Sequence, residues 1–216
     1  RERGIPSEEP EKRDLSEVPA VQDLVALLDV LVSPTQDLCL ARALKSPLFG
    51  WSDQDLAWLA QAARGPDGRA VSSWWQALCG TSAAAGGDTP APARVAAECL
   101  RRWRDWVWQL PPHDALAAIY RDADLLARYA AAVPARLREP VLASLRALLA
   151  QSLAQDGGRY LTAYRFVRAL KAGGIRLPQT AQTGAVRLLT IHGAKGLEAH
   201  TVLMLDTEAQ PPKPES

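Results

Sequence analysis

Helical periodicity governs about 170 residues of this chain before any strand chemistry appears, and no other feature limits its possible folds as tightly. Pro19 suits the first turn of a helix whose apolar positions Val21, Leu24, Val25, Leu28, Leu31 and Val32 recur at helical spacing. Ser33-Pro34 ends that helix and opens a second, with Leu38, Leu40, Ala41 and Leu44 facing inward until Ser46-Pro47 breaks the pattern. After the loop Leu48-Phe49-Gly50, Ser52 is placed to cap a third helix as the partner of Asp55. Leu56, Trp58 and Leu59 follow, and the helix closes near Gly65-Pro66. Residues 71–79 predict a short helix holding Trp74 and Trp75, and Thr81 to Pro92 reads as a long loop, the segment expected to move most. From Ala93 to Leu110 the helical period returns, with Val95, Cys99, Trp103, Trp106 and Leu110 on one stripe and Arg94, Arg101, Arg104 and Asp105 largely off it, until Pro111-Pro112. Helical patterns over 114–132, 137–154 and 160–171 follow, broken by Val133-Pro134, Asp156-Gly157-Gly158 and Gly173-Gly174.

At Ala185 the character changes. Val186 to Ile191 and Thr201 to Leu205 are β-branched and apolar, each about as long as a buried strand. Two such runs do not make a stable sheet alone, so their neighbours lie upstream or outside the chain. At the other end, Arg1 to Pro6 reads as the end of a helix with a Gly stop, followed by an acidic linker to Val18. The expected fold is mainly α, roughly seven to nine helices, with a small α/β remnant formed by the two ends.

The remaining sequence evidence removes whole classes of function. No apolar run approaches the ~20 residues of a membrane span, so no membrane partner is expected. Cys39, Cys79 and Cys99 are odd in number and never in a C-x-x-C pair, which supports neither a disulfide framework nor a zinc site and fits a reducing, cytoplasmic setting. The net charge is +1, but residues 1–100 carry nine basic and fourteen acidic side chains and residues 101–216 sixteen and ten. A basic face toward phosphate and ordinary solvated helix faces both fit that asymmetry. The chain opens on Arg1 with no leader-like segment, which reads as a piece of a longer protein.

Chemistry concentrates between the two apolar runs, in Thr190-Ile191-His192-Gly193-Ala194-Lys195-Gly196-Leu197-Glu198. Glycines let backbone N–H groups approach a phosphate, Lys195 offers a compact positive charge, and Glu198 can accept from a ribose hydroxyl. The segment is not a Walker A loop, because Gly196 follows the lysine and no hydroxyl stands next to it to hold Mg²⁺.

VRLLTIHGAKGLE resembles motif V of the UvrD-like superfamily 1 DNA helicases, a pattern of Thr, an aliphatic residue, His, two variable positions, then Lys-Gly-Leu-Glu. Ala43 to Asp53, with Pro47-Leu48-Phe49-Gly50 at its centre, is similar to a stretch of the RecB and AddA branch. Arg1 to Pro6 resembles the helix end in that family's second RecA-like domain. The resemblance implies three parts: residues 1–18 as the end of a RecA-like 2A segment and linker, 19–183 as the helical 2B-like insertion, and 184–216 as the return to 2A with motif V. It further implies a fragment of an ATP-dependent 3′–5′ DNA helicase or helicase-nuclease acting in double-strand-break repair and recombination. Thr190 and His192 would contact the DNA backbone, Gly196 would lie near the nucleotide phosphates, Glu198 would bond the ATP ribose and Lys195 would sit at the cleft. ATP and Mg²⁺ would serve the whole protein and the fragment alone would bind neither. The partners would be single-stranded and duplex DNA and a possible second subunit. Many relatives have Phe-Pro after the glutamate where this chain has Ala199-His200-Thr201, a departure that touches the packing beyond Glu198. This chain contains no Walker A loop and no nuclease cluster, so no catalytic residue is assigned in it and the fragment is expected not to hydrolyse ATP.

Other constellations have plainer explanations. Trp58, Trp103 and Trp106 fall on apolar stripes and read as core, while Trp51, Trp74 and Trp75 lie near loops and fit either core or surface. Arg101, Arg102 and Arg104 form the strongest basic cluster, as phosphate contacts or as a solvated face. His113, His192 and His200 lack metal-ligand spacing, and Asp122 and Asp124 at i and i+2 point to different faces of a helix. A second reading stays open: a free-standing α-helical interaction domain that binds another protein through a Trp-rich face, with its last strands paired within the chain.

Overall fold

The helix starting at Pro19 is the hub. In the computed structural model α1 (Pro19–Val32) buries nine of its fourteen residues, so it is surrounded rather than one-sided. Against it lie α2 (Asp37–Lys45), α5 (Ala91–Gln109), α8 (Ala135–Ala154) and α9 (Ala163–Ala172). Around these pack α3 (Asp53–Ala62), α4 (Trp74–Cys79), α6 (Pro112–Asp122) and α7 (Leu125–Ala132). The structure describes residues 7–8, 14–80, 89–154, 162–173, 186–192 and 194–204. The chain divides into two units, Lys12–Pro178, which holds these helices, and Arg1–Glu11 with Gln179–Ser216. It is mainly α-helical, and among the described residues no helix is long and apolar enough to cross a membrane.

Local chemistry explains the helix starts. Pro19 at the first position of α1 lacks the N–H that would go unpaired there. The approach to it is a 3₁₀ turn, Leu15–Glu17, in which Asp14 accepts the Ser16 N–H at 2.9 Å and Leu15 is buried, so the acidic segment before Val18 is not wholly linker. Ser52 and Asp55 cap α3 reciprocally: Asp55 N–H donates to Ser52 Oγ at 3.2 Å, and Ser52 N–H to Asp55 Oδ2 at 2.8 Å. Ser73 and Gln76 do the same for α4. Asp37, at the start of α2, accepts the Trp74 N–H at 2.9 Å.

Several expectations are corrected. The second helix begins at Asp37, not at Ser33-Pro34, and Leu38 is 87% exposed while Ala43 is buried in its place beside Leu40 and Leu44. On α5 the buried stripe is Ala93, Ala96, Ala97, Leu100, Trp103 and Val107, whereas Val95 and Leu110 are exposed and Cys99 and Trp106 half-buried. Alanines carry little hydrophobic signal, yet their small size lets neighbouring helices close on this face. The pattern over 114–132 is two helices, because Asp124 adopts a left-handed conformation (φ 45°) that a short polar side chain tolerates. Helix α5 starts at Ala91, inside the expected loop; residues 81–88 of that loop, Arg1 to Pro6 and Asp156-Gly157-Gly158 lie outside the described residues.

In the second unit, β1 (Ser7–Glu8) pairs in parallel with β2 (Val186–Arg187), Ser7 opposite Val186 and Glu8 opposite Arg187. The run to Ile191 is therefore strand only at its first two residues, and Thr201 to Met204 is not strand. A two-residue pair leaves most backbone groups of both runs without ladder partners, so regular geometry stops where the pairing stops.

Candidate functional site

The segment after β2 folds as a compact double turn. Ala194 N–H donates to the Thr190 carbonyl at 2.9 Å, and Leu197 N–H to the Ala194 carbonyl at 3.0 Å. Gly196 has φ +83°, at the third position of the four-residue turn Ala194–Leu197. That is the position at which a type II turn needs positive φ, so glycine is required there by backbone conformation. A Cβ at Gly196 would meet nothing within 4 Å, which leaves the backbone open to approach from outside. Thr190, His192, Lys195 and Glu198 are all exposed. The turn thus presents a hydroxyl and an imidazole before it, an ammonium within it and a carboxylate after it. The apolar residues around it are exposed too, with Ile191 at 79% and Leu203 at 83%, in contrast to the buried strands expected.

The helical unit holds its candidate groups internally. Arg101 Nε donates to the Cys79 carbonyl at 2.9 Å, Arg102 pairs with Asp122 at 2.6 Å, and the Arg104 guanidinium lies 5.4 Å from the centre of the Trp75 ring. The cluster read as a possible phosphate site instead fastens α4 and α6 to α5. Asp122 also accepts the Trp103 indole N–H at 2.7 Å. Burial alone would raise the Asp122 pKa, but the bonds from Arg102 and Trp103 outweigh it and hold the carboxyl below its ordinary value. His113 Nδ1 lies 3.2 Å from the Leu149 carbonyl and 3.1 Å from Ser152 Oγ, joining α6 to α8. Asp124 stands apart from Asp122, before α7. Among the described residues, no group of three His, Cys, Asp or Glu side chains could hold a metal.

The tryptophans are mostly inside. Trp51, Trp75 and Trp103 are buried, Trp58, Trp74 and Trp106 are half-buried against the core, and Trp108 is 65% exposed. Trp108 alone of the seven is largely exposed, and the half-buried three are packed against the core. Sequence reading overlooked the ties that close the unit. Asp29 of α1 accepts from Lys171 of α9 at 2.5 Å and from the Cys39 thiol at 3.2 Å, and Arg128 donates to the Leu48 carbonyl at 2.8 Å. The signal for the first was Asp29, the one acidic residue in the otherwise apolar run Leu24 to Val32.

No family model matches the chain. Along most of its length it is similar to ATP-dependent helicase/nuclease subunits of the AddA type. The identity is 28% over 210 residues with that of Geobacillus kaustophilus, covering 94% of this chain and 16% of the relative. It is 28% over 218 residues with that of Levilactobacillus brevis (97% and 17%), and 28% over 208 residues with that of Heliobacterium modesticaldum (90% and 14%). The chain is homologous to a segment of these AddA proteins. It spans 14–17% of the length of these curated relatives. Homology along nearly the whole chain agrees with the resemblance of Ala43 to Asp53 to the RecB and AddA branch and includes most of the helical unit, where sequence motifs are sparse.

Proposed function

We propose that this chain is a segment of an ATP-dependent DNA helicase/nuclease, cytoplasmic and acting 3′–5′ in double-strand-break repair. The observation that carries the reading is the homology to AddA-type helicase/nucleases along 94% of the chain. In this reading residues 19–183 are the 2B-like insertion, and residues 1–18 and 184–216 belong to a RecA-like 2A domain whose sheet covers the exposed apolar residues around the turn. The helical insertion orients duplex DNA or a partner subunit.

The turn fits a nucleotide on chemical grounds. Open space at Gly196 admits a phosphate, Lys195 is exposed to meet its charge, and Glu198 can accept from ribose hydroxyls. ATP supplies the free energy of phosphoryl transfer. Thr190 and His192 stand on the strand side of the same turn, where a hydroxyl and an imidazole can donate to DNA phosphates. The Thr190–Ala194 and Ala194–Leu197 backbone bonds make the segment one stiff piece. Contacts that change at Lys195 and Glu198 are therefore felt at Thr190 and His192, which is the coupling a translocating motor needs. Mg²⁺ accompanies ATP in the whole protein, and this segment alone is expected to bind neither.

The test is made in the full-length protein that carries the segment. Glu198→Ala is expected to weaken ATP use about tenfold or more in kcat/KM while leaving ATP-free DNA binding nearly intact, and His192→Ala to weaken DNA binding or its stimulation of ATP hydrolysis. Equal, small effects from both would reduce the turn to scaffold and overturn the reading.

A further inference from the structure

Helix α9 buries Phe166, Val167 and Leu170 against the helical unit and turns Tyr164, Arg165, Arg168 and Lys171 outward. Spacings of three place the cations along one side, and the helix contains no acidic residue. Lys171 is committed to Asp29. Arg165 and Arg168 have no carboxylate partner among the described residues. Arg168 instead lies 6.0 Å from the centre of the Tyr164 ring, whose face holds the guanidinium out along the helix. The carboxylates nearest the far end of α9 are occupied: Asp29 by Lys171 and Cys39, and Asp14 by the Ser16 N–H.

The surroundings reinforce the charge. Between residues 125 and 173 the sequence has eight basic and two acidic side chains, against two and seven between residues 14 and 62. Several other arginines of the unit are bound into the fold, Arg42 to Asp23, Arg102 to Asp122, Arg128 to the Leu48 carbonyl and Arg138 to the Ala130 carbonyl. Arg94, Arg121, Arg136 and Arg146 stand exposed on their helices, and among the described residues none has a tyrosine ring against its guanidinium to hold it in line. A helix that keeps two adjacent arginines outside such bonds presents them to an anion.

We propose that the Arg165–Arg168 face of α9 binds the phosphate backbone of duplex DNA. Charge complementarity selects a polyanion, and the helicase/nuclease reading on which this proposal rests selects DNA among polyanions. Shape selects the duplex. Single strands are held in grooves lined by several stacking aromatics. This face is the convex side of one helix with a single tyrosine, already engaged by Arg168. Phosphates of a duplex need only positive charge at the right height, and such contacts position the DNA without reading sequence.

The test uses the chain itself, with binding to a short fluorescein-labelled duplex followed by anisotropy as salt is raised from about 50 to about 200 mM. The double variant Arg165→Gln/Arg168→Gln is compared with Arg94→Gln, an exposed arginine on α5, after circular dichroism has shown that all are folded. The double variant is expected to bind duplex about tenfold more weakly and to flatten the salt slope by about two, as the loss of two phosphate contacts requires, while Arg94→Gln matches the wild type. Wild-type chain that fails to bind duplex, or a double variant that binds as the wild type does, overturns the proposal. So does a loss confined to a single-stranded oligonucleotide, or a folded chain that uses these arginines for polyglutamate and not for DNA, which would mark the face as a site for an acidic protein. Loss of the α9 effect leaves the Glu198 and His192 experiment untouched, so the two readings fail separately.

Discussion

Asp122 carries two bonds whose loss is measurable. Its folded pKa lies below the unfolded value of about 3.9, so its bonds to Arg102 and Trp103 contribute stability above that pH, and the contribution disappears as pH falls through the folded pKa. Asp122→Ala is expected to cost about 2 kcal/mol at pH 7 by leaving the Trp103 N–H unpaired. In urea titrations the gap between variant and wild type should narrow as the pH falls below the ordinary carboxylate range of about 4; a gap independent of pH would show that the charge is irrelevant. Cys79 makes a second residue-scale case. Burial pushes its thiol up to about 12, against the smaller opposite pull of Arg101 and Arg104. At pH 8 its thiolate fraction is then about one in ten thousand, and alkylation followed by peptide mapping should run about a thousandfold slower than for a free thiol. Labelling at the rate of an unfolded control would contradict the burial. Neither feature was legible beforehand, because each depends on partners brought from another helix.

At the scale of elements, what is local could be read and what is distant could not. The Ser52–Asp55 box spans one turn and was visible as spacing; the structure forms both of its bonds. Ser52→Ala is expected to cost about 1 kcal/mol, a fall of roughly 2–4 °C in the thermal midpoint for a chain of this size. An unchanged midpoint would mean that α3 is held by packing alone. The stripe of α5 was misread because Val95 and Leu110 advertise burial more loudly than Ala93, Ala96 and Ala97, which supply it. The break at Asp124 escaped notice because no glycine or proline marks it. The pairing of β2 with β1 joins residues almost a whole chain apart, and its register is written in neither run. The turn after β2 was legible for the opposite reason: Gly196 holds a backbone conformation that few other residues reach, so the turn leaves a mark in the sequence itself.

At the scale of the whole chain, a helical unit closed by ties such as Asp29–Lys171 accompanies a short parallel pair whose turn presents Thr190, His192, Lys195 and Glu198 to solvent. The homology to AddA-type helicase/nucleases gives that turn its proposed work, which is to join nucleotide to DNA. DNA-stimulated ATP hydrolysis of the full-length protein, with Glu198→Ala and His192→Ala measured beside the wild type, tests that role most directly. A split is expected: Glu198→Ala loses ATP use with DNA affinity kept, and His192→Ala loses DNA stimulation with ATP affinity kept. Two variants with the same slight deficit in both would contradict it.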